Sequence, residues 1–189
     1  MKKIKLLSCL TLLVGGVFAT APVLAATTQT SDATFKVTAG DLSLDSVQTF
    51  NFGEDALDAS FKYDPSINLS DGIKVSDYRG SLAGWKLQLK FSNFEDTTDN
   101  AKTLTGATLS LTTSNNITND NGDNLTAPTS VPSLAADANH TVLTVKTGTG
   151  AGQTSTSYSK ATLNLPKKVK AGDYKSNVTW TLSDTPANN

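Results

Sequence analysis

Gly84-Trp85-Lys86-Leu87-Gln88-Leu89-Lys90-Phe91 places an apolar side chain at every second position, with Lys86, Gln88 and Lys90 between them. Successive side chains of a β-strand point to opposite faces, so this stretch predicts a strand with one apolar and one wet face. The pattern returns near the C-terminus. Tyr174, Val178, Trp180 and Leu182 share one parity across Tyr174–Leu182. The two tryptophans of the chain, Trp85 and Trp180, each open a Trp-x-Leu tripeptide inside such a run.

Outward from these two strands, short alternating runs recur. Phe35 and Val37 alternate with polar neighbours and predict a first strand. Leu42 and Leu44 predict a second, and Phe50 and Phe52 follow at the same spacing. Glu54 to Ser60 reads as one helical turn or an irregular loop, and Phe61-Lys62-Tyr63 as a short strand stopped by Asp64-Pro65. Further strands are expected at Ile73–Val75, Thr108–Thr112, Thr141–Lys146 and Ala161–Leu165. Asn93–Asn100, the Asn-rich Ser114–Asn124, the Pro-containing Thr126–Asp137 and the Gly-rich Gly148–Ser157 read as loops. No ten-residue stretch beyond the N-terminus carries helical periodicity, and turn signals recur about every ten residues. The expected fold is all-β: an antiparallel β-sandwich of roughly eight to ten strands, Ig-like or Greek-key. The first and last strands are expected in the body of the sheets.

The N-terminus has a different character. Lys2, Lys3 and Lys5 precede an apolar run from Leu6 to Phe18, and Val23-Leu24-Ala25 puts short residues before Ala26. This is the pattern of a Sec signal peptide over residues 1–25, followed by a flexible leader over 26–32 and a domain over 33–189. Cys9 and Met1 would leave with that peptide, so the exported chain would carry neither cysteine nor methionine. Disulfides are then excluded, and stability must come from packing and sheet hydrogen bonds. The formal net charge falls from −1 to −4 with the loss of the three lysines. That balance does not suit nucleic-acid binding, which needs a clustered positive surface. Lys167-Lys168-Val169-Lys170 is the one basic cluster, readable as a solvated turn or as an anion contact.

Catalytic and metal chemistry find little support. The single histidine, His140, has no nucleophile or orienting acid placed by the sequence, and reads as a surface residue. One histidine and no retained cysteine exclude a structural zinc site, and no cofactor is expected. Asp41 with Asp45, and Glu95 with Asp96 and Asp99, supply the carboxylates a glycosidase would need, but they sit where solvated loops are expected. Asn115–Asn124 offers oxygen ligands without the residue order of an EF-hand. Asn-x-Ser/Thr triplets such as Asn116-Ile117-Thr118 arise by chance in loops of this composition.

Larger motifs surround the two Trp-x-Leu tripeptides. Val75-Ser76-Asp77-Tyr78-Arg79-Gly80 with Gly84-Trp85-Lys86-Leu87 resembles the first motif of the WxL domain. Gly172-Asp173-Tyr174 through Thr179-Trp180-Thr181-Leu182-Ser183-Asp184-Thr185-Pro186 resembles its C-terminal motif. Thr38–Leu44 and Phe50-Asn51-Phe52-Gly53 match the family's opening. The resemblance implies an extracellular, non-enzymatic protein of low-GC Gram-positive bacteria, held non-covalently at the cell wall with peptidoglycan as ligand. It also implies partners: a membrane-anchored WxL-interacting protein and other WxL proteins in a surface complex. A protein-assembly role without direct wall contact is the alternative. Only Ala187, Asn188 and Asn189 follow Pro186, so a minimal member without a covalent sorting signal is expected. The motifs nominate Trp85, Leu87, Trp180, Leu182, Tyr78, Arg79 and Tyr174 as ligand-binding candidates. Aromatic faces stack on sugar rings, and polar side chains bond hydroxyls and carboxylates. Parity also turns both tryptophans towards the interior. The loops near Tyr78 and Arg79, or the Lys86 and Lys90 face, are then the expected binding surface.

Overall fold

The computed structural model describes residues 27–56 and 63–184. The proposed signal peptide, most of the stretch expected as a helical turn or loop, Phe61-Lys62 and Thr185-Pro186 lie outside the described residues. The contacts divide the chain into Met1–Lys36 and Val37–Asn189. In the first unit the described residues, Thr27–Lys36, form no strand. The second holds the fold.

The described residues contain eleven strands, no helix and only antiparallel pairings. The larger sheet runs β1 (Leu42–Ser46), β3 (Ile73–Asp77), β9 (Gly152–Asn164), β6 (Thr108–Asn119), β7 (Val131–Ala135). The short β2 (Ser66–Asn68) pairs with β9 beyond the end of β3. A three-stranded sheet runs β11 (Val178–Ser183), β4 (Trp85–Phe91), β8 (His140–Val145). Two residues each of β5 (Glu95–Asp96) and β10 (Tyr174–Lys175) make a third, small ladder. The two main sheets share one core. β3 contributes Ile73 and Val75, β4 all four of its alternating apolar residues, β6 Leu109 and Leu111, and β8 Val142, Leu143 and Val145. Tyr158 of β9 is fully buried, and its hydroxyl donates to Val142 O across the layers at 3.2 Å. The all-β antiparallel sandwich is thus observed.

β4 has the predicted form, with Trp85, Leu87, Leu89 and Phe91 all at most 1% exposed. Its entry depends on Gly84, whose φ is +76°. A Cβ at Gly84 would also lie 2.5 Å from Val145 O. Both facts exclude a larger residue there.

Other expectations are corrected. Phe35 and Val37 form no strand and are 92% and 78% exposed. The first strand, β1, and the last, β11, are sheet edges rather than interior strands. Phe50 and Phe52 lie outside any strand. β6 continues through the Asn-rich stretch to Asn119, with a bulge at Thr113–Ile117 in which Asn115 takes φ +56°. β7 forms around Pro132, at an edge where a missing N–H costs no ladder bond. From Gly152 the supposed hairpin loop is β9, the longest strand and the centre of the larger sheet. The inward positions of its first half hold Thr154, Thr156 and Tyr158 rather than aliphatic residues, and Ala161 and Leu163 follow in the stretch expected as a strand. The threonine hydroxyls are satisfied: Thr156 donates to Asn116 O and Thr154 accepts from Asn119.

Where β3 ends and β2 has not yet begun, β9 lacks a neighbouring strand. The buried side chain of Gln48 fills that gap. Its amide donates to Tyr158 O and Asp71 O at 2.8 Å each, and its carbonyl accepts from Tyr158 N at 2.9 Å. An amide side chain thus completes the ladder as a backbone would.

Candidate functional site

A cleft of about 830 Å³ opens at the end of the sandwich where β4 finishes and β6 begins. Its floor is apolar. Leu104, Ala107 and Leu163 form a small buried cluster there, with Phe52, Phe94, Leu165, Val169 and Tyr174 packed on it. Phe91 and Phe94 meet at 6.2 Å with their rings tilted by 55°. Phe50, Phe52, Tyr63 and Tyr174 add further aromatic surface to the lining.

The rim is polar and is built by the β5–β10 ladder with its flanking turns. Asp96 is the post around which this rim forms. Its Oδ1 accepts from Thr98 N, Thr98 Oγ1 and Asp99 N at 2.7–3.0 Å. The Thr98 hydroxyl, and after it the backbone N–H groups, hold the Asp96 carboxyl below the usual carboxylate range. Lys102 Nζ lies 3.9 Å from Asp96 Oδ2. Gly172 passes so close to Asp96 Oδ2 that any Cβ would collide with it. Tyr174 is oriented by its hydroxyl, which donates to Lys170 O at 2.9 Å. Lys170 and Lys175, both exposed, complete the rim beside Asp173 and Ser176. Chemically the arrangement offers aromatic faces for stacking and ammonium groups for carboxylates or phosphates.

The seven residues nominated from sequence do not converge. Trp85 and Leu87 are fully buried in β4, and Trp85 Nε1 has no hydrogen-bond partner among the described residues. Trp180 and Leu182 are half-buried on β11. The Trp180 ring stacks on Phe50, with centroids 6.4 Å apart and planes 10° from parallel. Trp180 sits opposite Leu89, four residues along β4 from Trp85, a separation of ~13 Å along the strand. Tyr78 is 57% exposed beyond β3. Arg79 forms a clasp: Nε and Nη2 donate to the Asp77 carboxylate at 2.9 and 2.7 Å, and Nη2 also reaches Gly84 O at 3.0 Å. The Arg79 guanidinium holds the buried Asp77 carboxyl below its ordinary pKa, against the opposing pull of burial.

Of the seven, only Tyr174 lines the cleft. Sequence reading missed Phe94, Lys102 and Lys175, and weighed Lys170 only as part of a basic turn. The Phe50–Phe52 spacing was a signal, but it pointed to a strand.

Among solved structures, a chain from a chaperone–tip adhesin complex of CFA/I fimbriae aligns at 18% identity with a TM-score of 0.35. The match covers 76% of this chain and 40% of that one. CfaE, the adhesive subunit of CFA/I fimbria of enterotoxigenic Escherichia coli, aligns at 18% identity with a TM-score of 0.34, over 71% of this chain and 39% of its own. The chain therefore spans about two-fifths of the length of these solved relatives. Among curated proteins, none matches significantly. Residues 20–186 match the model of the WxL domain, described as surface cell wall-binding. The match takes in both Trp-x-Leu strands, the Arg79 clasp and the cleft. This cell-surface protein belongs to the WxL family of surface cell wall-binding domains.

Proposed function

We propose that the chain is a non-enzymatic wall-binding module. In this reading residues 1–25 direct export and the domain over 33–189 holds peptidoglycan non-covalently as part of a surface complex. The observation that carries the reading is the cleft. It combines an aromatic lining with a rim bearing Lys102, Lys170 and Lys175. Its volume lies within the range of about 300–1,000 Å³ usual for ligand sites. Phe94 and Tyr174 offer faces for the C–H surface of a sugar ring, and the lysines match the carboxylates of a stem peptide. Binding energy here comes from stacking and charge-assisted hydrogen bonds, with no bond broken.

The alternative is an assembly component that docks on a membrane-anchored WxL-interacting protein, with no wall contact of its own. Tyr78 and Leu82, both exposed in the connection between β3 and β4, are the apolar contacts such a partner would meet.

Sedimentation with purified peptidoglycan decides between them. The wild-type protein is expected in the pellet. Lys170→Ala/Lys175→Ala, two exposed positions, should lower the affinity about tenfold with no change in melting temperature. A wild-type protein that stays in the supernatant sinks direct wall binding. Binding that ignores the double substitution sinks the cleft as its seat.

A further inference from the structure

Phe35 and Val37 remain unexplained by the cleft. Thr34-Phe35-Lys36-Val37-Thr38 carries the alternation of a strand, yet both apolar side chains stand in solvent and the segment pairs with nothing in the described structure. A strand-forming segment left unpaired is a ready partner for any free sheet edge.

The sandwich has such an edge. At one side its sheets are joined, since a four-residue turn, Ala136–Asn139, carries β7 of the larger sheet into β8 of the smaller. At the other side β1 and β11 are both edges. They border the same seam, because Phe50, four residues after β1, stacks on Trp180 of β11. Leu42 and Leu44 of β1, and Trp180 and Leu182 of β11, reach the shared core but stay half-buried. Among the described residues β11 has a neighbour on one side only, and its sheet is three strands wide against six.

The segment cannot turn back onto its own seam. Gly40 N donates to Tyr78 O and Tyr78 N to Asp41 O, which holds Gly40 and Asp41 in line with β1. Only Ala39 then separates Thr38 from that ladder, too little chain for a reversal.

We propose that Thr34–Thr38 of one copy adds as a strand to the free edge of β11 in a second copy. Phe35 and Val37 would lie beside Trp180 and Leu182 and face Leu42 and Leu44. Five residues extend about 17 Å, the length of β1 and nearly that of β11. The segment and the seam are different surfaces of one molecule, so the contact is heterologous and propagates head to tail. Main-chain bonds to β11 supply affinity, and the two apolar side chains supply register. The inference does not depend on wall binding.

The test is sedimentation equilibrium of the secreted protein, without wall material. The weight-average mass should rise at least about twofold between micromolar and 100 µM protein. Phe35→Lys/Val37→Lys should return the protein to monomer with an unchanged melting temperature, since both side chains are exposed. In a mixture of separately prepared Lys36→Cys and Thr181→Cys proteins, mild oxidation should give mixed disulfide dimers, because Lys36 of the added strand would share the outward face with the exposed Thr181 of β11. A protein that is monomeric at every concentration overturns the proposal. So does association that survives the double lysine variant, and so does a failure of the two cysteines to join.

Discussion

β4 and β11 carry the same tripeptide pattern and pair with each other, yet their tryptophans live in different surroundings. Trp85 is in the middle strand of its sheet and has no exposed surface. Trp180 is on the edge strand, half-buried, and Phe50 covers one of its faces. Alternation fixes which face of a strand a side chain takes. The place of the strand in the sheet then decides how deeply it is sealed. Two motifs that read alike therefore do unlike work: one anchors the core, and the other closes a seam with help from a neighbouring loop.

Truncation should expose the contrast with the largest effect. Trp85→Ala removes a fully enclosed indole from the core, and should cost about 3–5 kcal/mol. Trp180→Ala should cost about 1–2 kcal/mol, because part of its surface is already in water, so truncation loses the Phe50 stack and only a partial contact with the core. Urea denaturation of the two variants side by side measures both. Equal losses would mean that the edge position offers no relief.

The same physics separates what was legible in the sequence from what was not. β4 could be read because four large apolar residues mark its inner face. β9, the centre of the larger sheet, could be read only at its C-terminal end, where Ala161 and Leu163 alternate. The inner positions of its first half are Gly152, Thr154, Thr156 and Tyr158, and only hydrogen bonds from distant residues make those threonines acceptable inside. Pro132 disguised β7 for a related reason, since proline is compatible with a strand only once its edge position is known. Phe35 and Val37 have the pattern of a strand without a neighbour in the described structure. Pattern reports what a segment is able to pair with, and partners are a property of the assembly. The cleft was least legible, because its walls come from the Asn51–Asp55 stretch, the end of β4, the Asp96 turn and the Val169–Ser176 stretch. Of the nominated residues, Tyr174 alone is placed there.

Gln48 offers a sharper probe, because it and Phe50 belong to one short segment. At one end the Gln48 amide is bonded to β9, and two residues later Phe50 lies on Trp180. Gln48→Ala leaves the buried N–H and C=O of Tyr158 without partners and should cost about 2–3 kcal/mol. It should also release Phe50. In a Trp85→Phe background the Trp180 emission should then move to longer wavelength, whereas in a Trp180→Phe background the Trp85 emission should not move. A shift in both would show that the two tryptophans respond as one core and would break the contrast.

The Arg79 clasp tests the other side, where β4 begins. Arg79 ties Asp77, the last residue of β3, to Gly84 O, immediately before Trp85. Because Arg79 keeps some contact with solvent, Arg79→Ala should cost only about 1–2 kcal/mol at neutral pH. The pH dependence identifies the source. The Asp77 pKa is lowered in the folded protein, so the pair contributes stability in full above the ordinary carboxylate value of 3.8. That contribution is lost as pH falls below 3.8 and through the lowered value, because the unfolded chain takes up the proton first. Wild type should therefore lose stability faster than Arg79→Ala below about pH 4, and the two melting curves should converge. Parallel curves down to pH 2.5 would assign the cost to lost packing of the arginine stem rather than to the charge pair. β4 would then begin on a steric stop at Gly84, without an ionic one.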